Sequence, residues 1–324
     1  MRAAWYERRG PARDVLVVGE MPDPEPGHGE VRIRVSHSGI NPGDVKKRSG
    51  WQDSPMPYPR VVPHSDGAGV IDAVGKGVRE ARVGERAWCY GAQSYRPFGT
   101  AAEYVVVPDR LAVPLPASGL EEQAACLGIA GITGHRALFA DGSVRGLNVL
   151  VHGATGGVGS VVTQLARRDG ARVFASVRRE DQLQQARALG AVNAFLTSDP
   201  ELVRRIRAAA PEGVHRIAEV DFAAHIALDA QVLAVGGVIS SYYSSRPQPT
   251  IPYWELGFAD VTLRLLGSDD FPAQAKDQAA ADLTDALVAK ELCIDIAVRL
   301  PLEEIAHAHK LVEEGTAGRV LLTL

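Results

Sequence analysis

A glycine-rich turn between an apolar run and a helical pattern constrains this chain more than any other feature. The run 148–152 leads directly into the turn 153–159, which reads GATGGVG, and residues 157–169 carry apolar side chains at helical spacing. A helix beginning there offers unpaired N–H groups and the positive end of its dipole to a diphosphate. Gly156 lets the backbone approach the phosphates, and Gly159 lets the helix pack closely on the strand. The turn therefore predicts a dinucleotide site, with a ligand-free strand–helix turn as the alternative.

The pattern after this turn indicates the fold class. Further strands are predicted at 172–177, 194–197, 216–220 and 237–241, with helices at 181–189 and 201–210. Alternating strands and helices of this length indicate an α/β unit with a parallel, doubly wound sheet of the Rossmann type. The first 120 residues or so are predicted to be β-rich, with strands at 31–35, 67–75 and 101–107 joined by Gly- and Pro-rich turns. The C-terminal part is predicted to form helices at 273–292 and 305–314 and a last strand at 319–324.

Composition excludes several other classes of protein. The chain has 324 residues, of which 46% are hydrophobic, so it is long and apolar enough for folded domains. Its three cysteines (Cys89, Cys126 and Cys293) are too few for a disulfide framework, which favours a reducing compartment such as the cytoplasm. No apolar stretch has the length of a membrane span, and the pI near 6.2 gives no basic surface for nucleic acid. We therefore expect a cytoplasmic globular protein with neither membrane nor nucleic-acid partners.

The end of the second predicted strand of the α/β unit bears on the choice of cofactor. Ser176, Arg178 and Arg179 lie where many NAD-binding proteins place a carboxylate for the ribose hydroxyls. A hydroxyl and two guanidinium groups are suited to a phosphate instead, which favours NADP(H) over NAD(H). The alternative is that the two arginines belong to a solvated loop and that Glu180 and Asp181 open the next helix.

A catalytic metal finds little support in the sequence. His37, His64 and Asp66 could gather with Cys89, but no short ligand spacing joins them, and three dispersed cysteines cannot form a structural zinc lobe. The sequence predicts no metal site.

Several motifs together resemble one known family over residues 2–324. They are NPGD at 41–44, RSG at 48–50, SDGAGVIDAVG at 65–75, VGERA at 83–87, GIAGITG at 128–134, VHGATGGVG at 151–159 and GTAGRV at 315–320. The chain resembles the medium-chain dehydrogenase/reductase superfamily, and within it the zinc-free quinone oxidoreductase (zeta-crystallin-like) branch. Zinc-dependent relatives carry Cys at the position of Asn41 and His at that of Ser65, and this chain has neither ligand.

The resemblance implies a domain organisation and a set of cofactor contacts. It implies a GroES-like substrate domain at 1–122, a Rossmann NADP(H)-binding domain at 123–268, and a segment at 269–324 that returns to the first domain. It also implies a homodimer formed through the sheet edge around 237–267. The positions implied to contact NADPH, together with those read from the strand ends, are Thr133, Thr155, Gly156, Gly157, Val158, Ser176, Arg178, Arg179, His225, Tyr242, Tyr243 and Ser244.

The same resemblance points to Asn41, Lys46 and Thr133 as candidate catalytic residues. They would position the acceptor and donate hydrogen bonds to a developing oxyanion. Each has a structural alternative, since Asn41 precedes Pro42 and could fix a turn, and Thr133 could cap a helix. Lys46 stands where well-studied members carry Tyr, and the Tyr242–Tyr243 pair replaces two small residues.

Three functions remain open at this stage. With no ligand set to polarise a carbonyl, a quinone is the favoured hydride acceptor, because conjugation activates it. The second is reduction of an enone, alkenal or enoyl thioester, although residues 46–52 lack the tyrosine of related enoyl-thioester reductases. The third is NADPH binding without catalysis.

Overall fold

The computed structural model describes residues 1–51, 54–116 and 118–324, which form two compact units. The first unit contains Met1–Ala130 and Lys276–Leu324, and the second contains Gly131–Ala275. The chain thus passes between the units at 130/131 and 275/276. The resemblance implies domain boundaries at 122/123 and 268/269 instead. No helix among these residues is long and apolar enough to cross a bilayer.

The strands of the described residues are β1 (Arg2–Trp5), β2 (Val17–Glu20), β3 (Glu30–Gly39), β4 (Asp66–Val74), β5 (Arg86–Cys89), β6 (Tyr104–Pro108), β7 (Ala112–Pro114), β8 (Asn148–His152), β9 (Arg172–Val177), β10 (Asn193–Leu196), β11 (Val214–Glu219), β12 (Leu233–Ser241), β13 (Thr262–Leu265), β14 (Ile296–Pro301) and β15 (Arg319–Thr323). The α-helices are α1 (Ala12–Val15), α2 (Pro42–Ser49), α3 (Glu121–Ala124), α4 (Gly128–Phe139), α5 (Gly157–Asp169), α6 (Asp181–Leu189), α7 (Leu202–Ala209), α8 (Phe222–Val232), α9 (Tyr253–Phe258), α10 (Ala273–Val288) and α11 (Ile305–Glu313).

The first unit is built on a sheet of seven strands in the order β14-β15-β3-β4-β5-β7, with β6 also paired to β3. In β3, Val31, Ile33 and Val35 are buried in alternation with Arg32 and Arg34, as the period of the sequence predicts. The last strand, β15, pairs antiparallel with β3, and its Val320, Leu321 and Leu322 are buried. The C-terminal segment therefore supplies part of the core of a unit that begins at the N-terminus.

The second unit has a six-stranded sheet in the order β10-β9-β8-β11-β12-β13, and every pair of neighbours is parallel. In chain order within the unit this is 3-2-1-4-5-6, the order of a Rossmann fold, with its reversal between β8 and β11. The predicted doubly wound sheet is confirmed. Buried Leu150, Phe174, Ile217 and Ile239 form its central layer. A ligand is expected at the carboxyl ends of β8 and β11, because the strand order reverses there.

Candidate functional site

The glycine-rich turn has the backbone geometry of a phosphate cradle. β8 ends at His152, Gly153 turns with φ +64°, and Gly156 precedes α5 as its N-cap. The first backbone bond of α5 runs from the Ser160 N–H to the Gly156 carbonyl, so the preceding N–H groups have no partner within the helix. A Cβ on Gly159 would lie 2.2 Å from the Gly153 carbonyl oxygen, so only glycine permits this close turn. These features fit a dinucleotide diphosphate.

The structure distinguishes between the residues at the end of β9. The Ser176 side chain is fully buried, and its hydroxyl lies 2.7 Å from Nδ1 of His152. Arg179 is exposed and forms two hydrogen bonds to the Asp181 carboxylate, at 3.0 and 3.1 Å. Arg178 is also exposed, and within residues 1–51, 54–116 and 118–324 no group bonds its guanidinium. Arg178 is therefore the arginine available to a phosphate.

Residues 242–244 follow the carboxyl end of β12, at the same edge of the parallel sheet as the glycine-rich turn that follows β8. Tyr242 is half-buried, and its hydroxyl is enclosed without a hydrogen-bond partner in the described part of the chain. The Tyr243 carbonyl accepts bonds from the Phe222 N–H and the Ser241 hydroxyl. Ser244 donates its hydroxyl to the Arg246 carbonyl at 2.6 Å. The backbone of this segment is fixed by α8 and β12.

A cluster of ionisable side chains lies beside the turn; we call it the 152/225 cluster, and its members are His152, Glu219, His225 and Asp229. His152 Nε2 lies 2.9 Å from Asp229 Oδ1, and His225 Nδ1 lies 2.8 Å from Glu219 Oε1. Burial raises the pKa of Asp229 to about 7 and lowers that of His152 to about 4. For His225 burial opposes the charged form, but the hydrogen bond and charge of Glu219 outweigh it and raise the pKa.

The 152/225 cluster does not fit a metal ion. Ligand atoms of His152, Glu219 and His225 lie within 4.8 Å of one another, a spacing that a metal ion could bridge. The two imidazole rings are stacked, however, with centroids 4.4 Å apart and planes inclined by 14°. An ion bound at about 2.0–2.1 Å must lie in the plane of each ring that binds it, and two stacked rings share no such position. The four ligand candidates from the sequence (His37, His64, Asp66 and Cys89) form no such cluster among the described residues.

In the first unit, Asn41 belongs to a buried polar network. It precedes α2 and is only 2% exposed. Its Nδ2 donates to Asp66 Oδ2 at 2.7 Å, and its Oδ1 accepts from Arg319 Nη2 at 2.8 Å. The Asp44 carboxylate accepts the Asn41 backbone N–H at 2.8 Å. Both polar atoms of the Asn41 amide are therefore engaged within the protein, so it fixes the N-terminus of α2 relative to β4 and β15.

Asp66 and Asp44 in this network are fully buried carboxyl groups. Burial raises the pKa of Asp66 to about 7, and the charge of Asp44 adds to the shift, against the bonds from Asn41 and the Ile129 N–H. Burial also raises the pKa of Asp44 to about 6. Asp66 is so close to α4 that a Cβ on Gly128 would lie 2.1 Å from its Oδ1. Both buried carboxyl groups are therefore expected to release their protons at a higher pH than exposed aspartates do.

The remaining candidates lie on α2, on α4 and in the glycine-rich turn. Lys46 is half-buried on α2, and its Nζ lies 5.8 Å from the centre of the Trp51 ring. Thr133 lies on α4 of the second unit and is 5% exposed. Thr155, Gly157 and Val158 are partly exposed in the turn, and Gly156 is exposed.

Sequence reasoning missed Glu219 and Asp229, and considered Asp66 only as a metal ligand. Glu219 ends β11, Asp229 lies on α8, and Arg319 approaches Asn41 from the far end of the chain. No spacing within the sequence connects these positions. One signal was available: an acidic residue directly after the apolar pair Ile217 and Ala218 of a predicted strand, as Glu219 is, requires a partner if it is buried.

Comparison with known proteins gives matches over both units. The family model of the alcohol dehydrogenase GroES-like domain matches residues 27–117, and that of the zinc-binding dehydrogenases matches residues 157–272. A quinone oxidoreductase of Rattus norvegicus is 31% identical over 313 residues, covering 93% of this chain and 91% of the relative. The first family model includes Asn41, Asp44 and Asp66, and the second includes Glu219, His225 and Asp229.

Solved structures share the fold over the whole chain. A mycobacterial protein solved in complex with NADPH is 28% identical, with a TM-score of 0.87 and full coverage of both chains. A protein described as an NAD-dependent alcohol dehydrogenase has the same identity, TM-score and coverage. Overall similarity alone therefore does not identify the nicotinamide cofactor, and the residues at the end of β9 must be considered.

Proposed function

Because the chain belongs to the zinc-free quinone oxidoreductase branch of the medium-chain dehydrogenase/reductase superfamily, we propose that it is an NADPH-dependent reductase of quinones. The observation that carries this proposal is the cradle at 153–159, with Gly159 against the Gly153 carbonyl, together with the exposed Arg178, whose guanidinium has no bond to any residue the structure describes. The names of the rat relative and of the mycobacterial NADPH complex support the acceptor and the cofactor respectively.

Bound NADPH would supply a hydride from its nicotinamide ring. The open N–H groups at the start of α5 and the side chain of Thr155 would hold the diphosphate, and Arg178 would hold the 2′-phosphate. Lys46 is the candidate donor to the oxygen that gains charge in the acceptor, and Thr133 is the candidate hydroxyl beside the cofactor. Asn41 acts as a positioning residue in this proposal, because its amide is buried and fully bonded to Asp66 and Arg319.

The acceptor is tested by following NADPH oxidation with 1,4-benzoquinone, 9,10-phenanthrenequinone and crotonyl-CoA in parallel. Turnover with the quinones and not with the thioester is the expected result. Turnover with crotonyl-CoA alone would replace the proposal with an enoyl reductase. NADPH binding without turnover of any acceptor would favour a cofactor-binding protein that is not an enzyme.

Arg178→Ala is expected to weaken NADPH binding by about tenfold to a hundredfold, because a charge-assisted phosphate contact is lost. NADH lacks the 2′-phosphate, so its affinity should change little. Arg179→Ala is the matched control, since Asp181 already engages that guanidinium. Fluorescence titration of the three proteins with both cofactors measures the effect. Equal losses for NADPH and NADH in Arg178→Ala would contradict this role.

We also propose that the protein forms a homodimer through the outer edge of the second unit's sheet. β13 is an edge strand with β12 on one side, and α9 beside it exposes apolar side chains. Trp254 is 67% exposed and stacks on Phe258, which is 81% exposed. Large apolar side chains next to an open strand edge indicate a surface that another chain covers.

Phe258→Asp is expected to convert the dimer to a monomer at micromolar concentration, because a buried charge would oppose the contact. Sedimentation velocity measures the change. Val192→Asp is the matched control, since Val192 is 55% exposed beside β10, at the opposite edge of the same sheet. A wild-type protein that sediments as a monomer, or dissociation by both variants, would contradict the proposed interface.

A further inference from the structure

The 152/225 cluster is unusual because one of its members reaches the surface. The side chains of His152, Glu219 and Asp229 are fully buried, whereas that of His225 is 15% exposed. His152 ends β8 and Glu219 ends β11, which are the two strands between which the sheet order reverses. Through His225, the buried cluster therefore reaches the surface at the edge of the sheet where dinucleotides bind.

The groups that face His225 favour its positive charge. Glu219 lies in direct hydrogen-bond contact, and the carboxyl groups of Asp229 and Asp221 also act on it. The stacked ring of His152 is held neutral by burial, with its Nδ1 against Ser176 and its Nε2 against Asp229. Burial also raises the pKa of Glu219, whereas the charge of His152 and the hydrogen bond from His225 favour its carboxylate. Burial favours the neutral forms of His152 and Asp229.

Besides His225, one imidazole faces Glu219: Nε2 of His152 lies 3.7 Å from Glu219 Oε2, and burial lowers the pKa of His152 to about 4. In the part of the chain that the structure describes, no Lys or Arg bonds its carboxylate, and its Oε2 has no hydrogen-bond partner. Its Oε1 also accepts the N–H of Asp221, which fixes the carboxylate at the end of β11. Burial, and after it the negative charge of Glu219, raises the pKa of the enclosed Tyr242 hydroxyl, so Tyr242 is neutral and provides no counterion. A buried carboxylate in this position requires a cation, and His225 is the group placed to provide it.

We propose that Glu219 is a positioning residue that holds His225 as a fixed imidazolium beside the phosphates of the bound dinucleotide, so that cofactor affinity falls when His225 loses its proton. This inference rests on the proposed function, because it takes NADPH as the ligand of the second unit. It adds that cofactor affinity depends on pH, and it assigns the origin of this dependence to the buried carboxylate of Glu219.

The test measures the dissociation constants of NADPH and NADH between pH 5.5 and 9 for wild type, Glu219→Gln, His225→Gln and His225→Lys. In wild type we expect affinity for NADH to fall about tenfold as pH rises through a midpoint above the ordinary histidine value of about 6.5. Glu219→Gln should move this midpoint below 6.5, His225→Gln should remove it, and His225→Lys should give an affinity that is constant over the range. The 2′-phosphate of NADPH titrates near pH 6 with the opposite sign, so NADH gives the clearer curve.

A second measurement does not depend on cofactor binding. The ring proton of His225 observed by NMR in the unliganded protein should titrate above 6.5 in wild type and at least one pH unit lower in Glu219→Gln. An unchanged titration in that folded variant would overturn the positioning role. The same pH course of cofactor affinity in His225→Gln and wild type would also overturn it. If neither cofactor binds at any pH while the NMR shift is present, the proposed function fails and the role of Glu219 in holding the imidazolium stands.

Discussion

Gly159→Ala is expected to reduce NADPH affinity at least about a hundredfold and to lower the thermal midpoint of the protein. The added Cβ would lie 2.2 Å from the Gly153 carbonyl oxygen and 3.0 Å from the Ala154 Cα, and these backbone atoms cannot turn aside as a flexible side chain can. The N-terminus of α5 must therefore move away from the end of β8. Two or more charge-assisted phosphate contacts are lost with it, each of about 1.5–3 kcal/mol. Isothermal titration with NADPH and differential scanning calorimetry measure the two effects.

Gly156→Ala separates the two parts of this effect. Gly156 has φ −78°, which any residue adopts, and its Cβ would meet only the Gly153 carbonyl oxygen, at 3.2 Å. The variant should keep a nearly normal thermal midpoint and lose affinity only through crowding of the phosphates. Wild-type affinity in Gly159→Ala would show that no diphosphate is held at this turn.

The elements around this turn could be predicted from the sequence because their signals are local. β8 and α5 have the same bounds in the structure as in the sequence patterns, since an apolar run, a glycine turn and a helical period occur within about twenty residues. β13 was not predicted, although it completes the sheet. Leu263 and Leu265 on this short strand are exposed, so the pattern of a buried strand is absent.

The chemistry of the candidate site could be predicted only where it depends on single positions. The sequence places Arg178 and Arg179 together after β9, and only the fold shows that Asp181 engages Arg179 and leaves Arg178 open. The contact between Asn41 and Arg319 joins residues 278 positions apart, so it depends on the return of the last strand to the first unit. The motif at 65–75 contains Asp66 but does not show that Asp66 is buried. Its raised pKa, which burial causes, therefore could not be predicted from the sequence.

Asp66→Asn is expected to change the pH dependence of stability by about 3 kcal/mol between pH 5 and pH 9. The pKa of Asp66 is raised to about 7 by burial and by the charge of Asp44, whereas the carboxyl of the unfolded chain titrates near 3.8. Between these values the folded protein holds a proton that the unfolded chain has released, so this group's contribution to stability is lost as pH rises through 7. Asparagine cannot ionise, so the free energy of unfolding of the variant should improve relative to wild type between pH 5 and pH 9.

Urea denaturation at pH 5, 7 and 9 measures this difference. At pH 5 the variant should be less stable, because one amide oxygen replaces two carboxyl oxygens that accept from Asn41 and Ile129. At pH 9 the deficit should shrink or reverse, because the wild type then carries a buried carboxylate next to Asp44. The lowered pKa values of His64 and His309 make both proteins less stable below pH 6.5, and they cancel in the difference.

Ser65→Ala is the matched control, since it removes a buried hydroxyl that does not titrate. If the curves of Asp66→Asn and wild type are parallel, as those of Ser65→Ala and wild type should be, then Asp66 is already ionised at pH 5 and the network holds no proton near neutral pH.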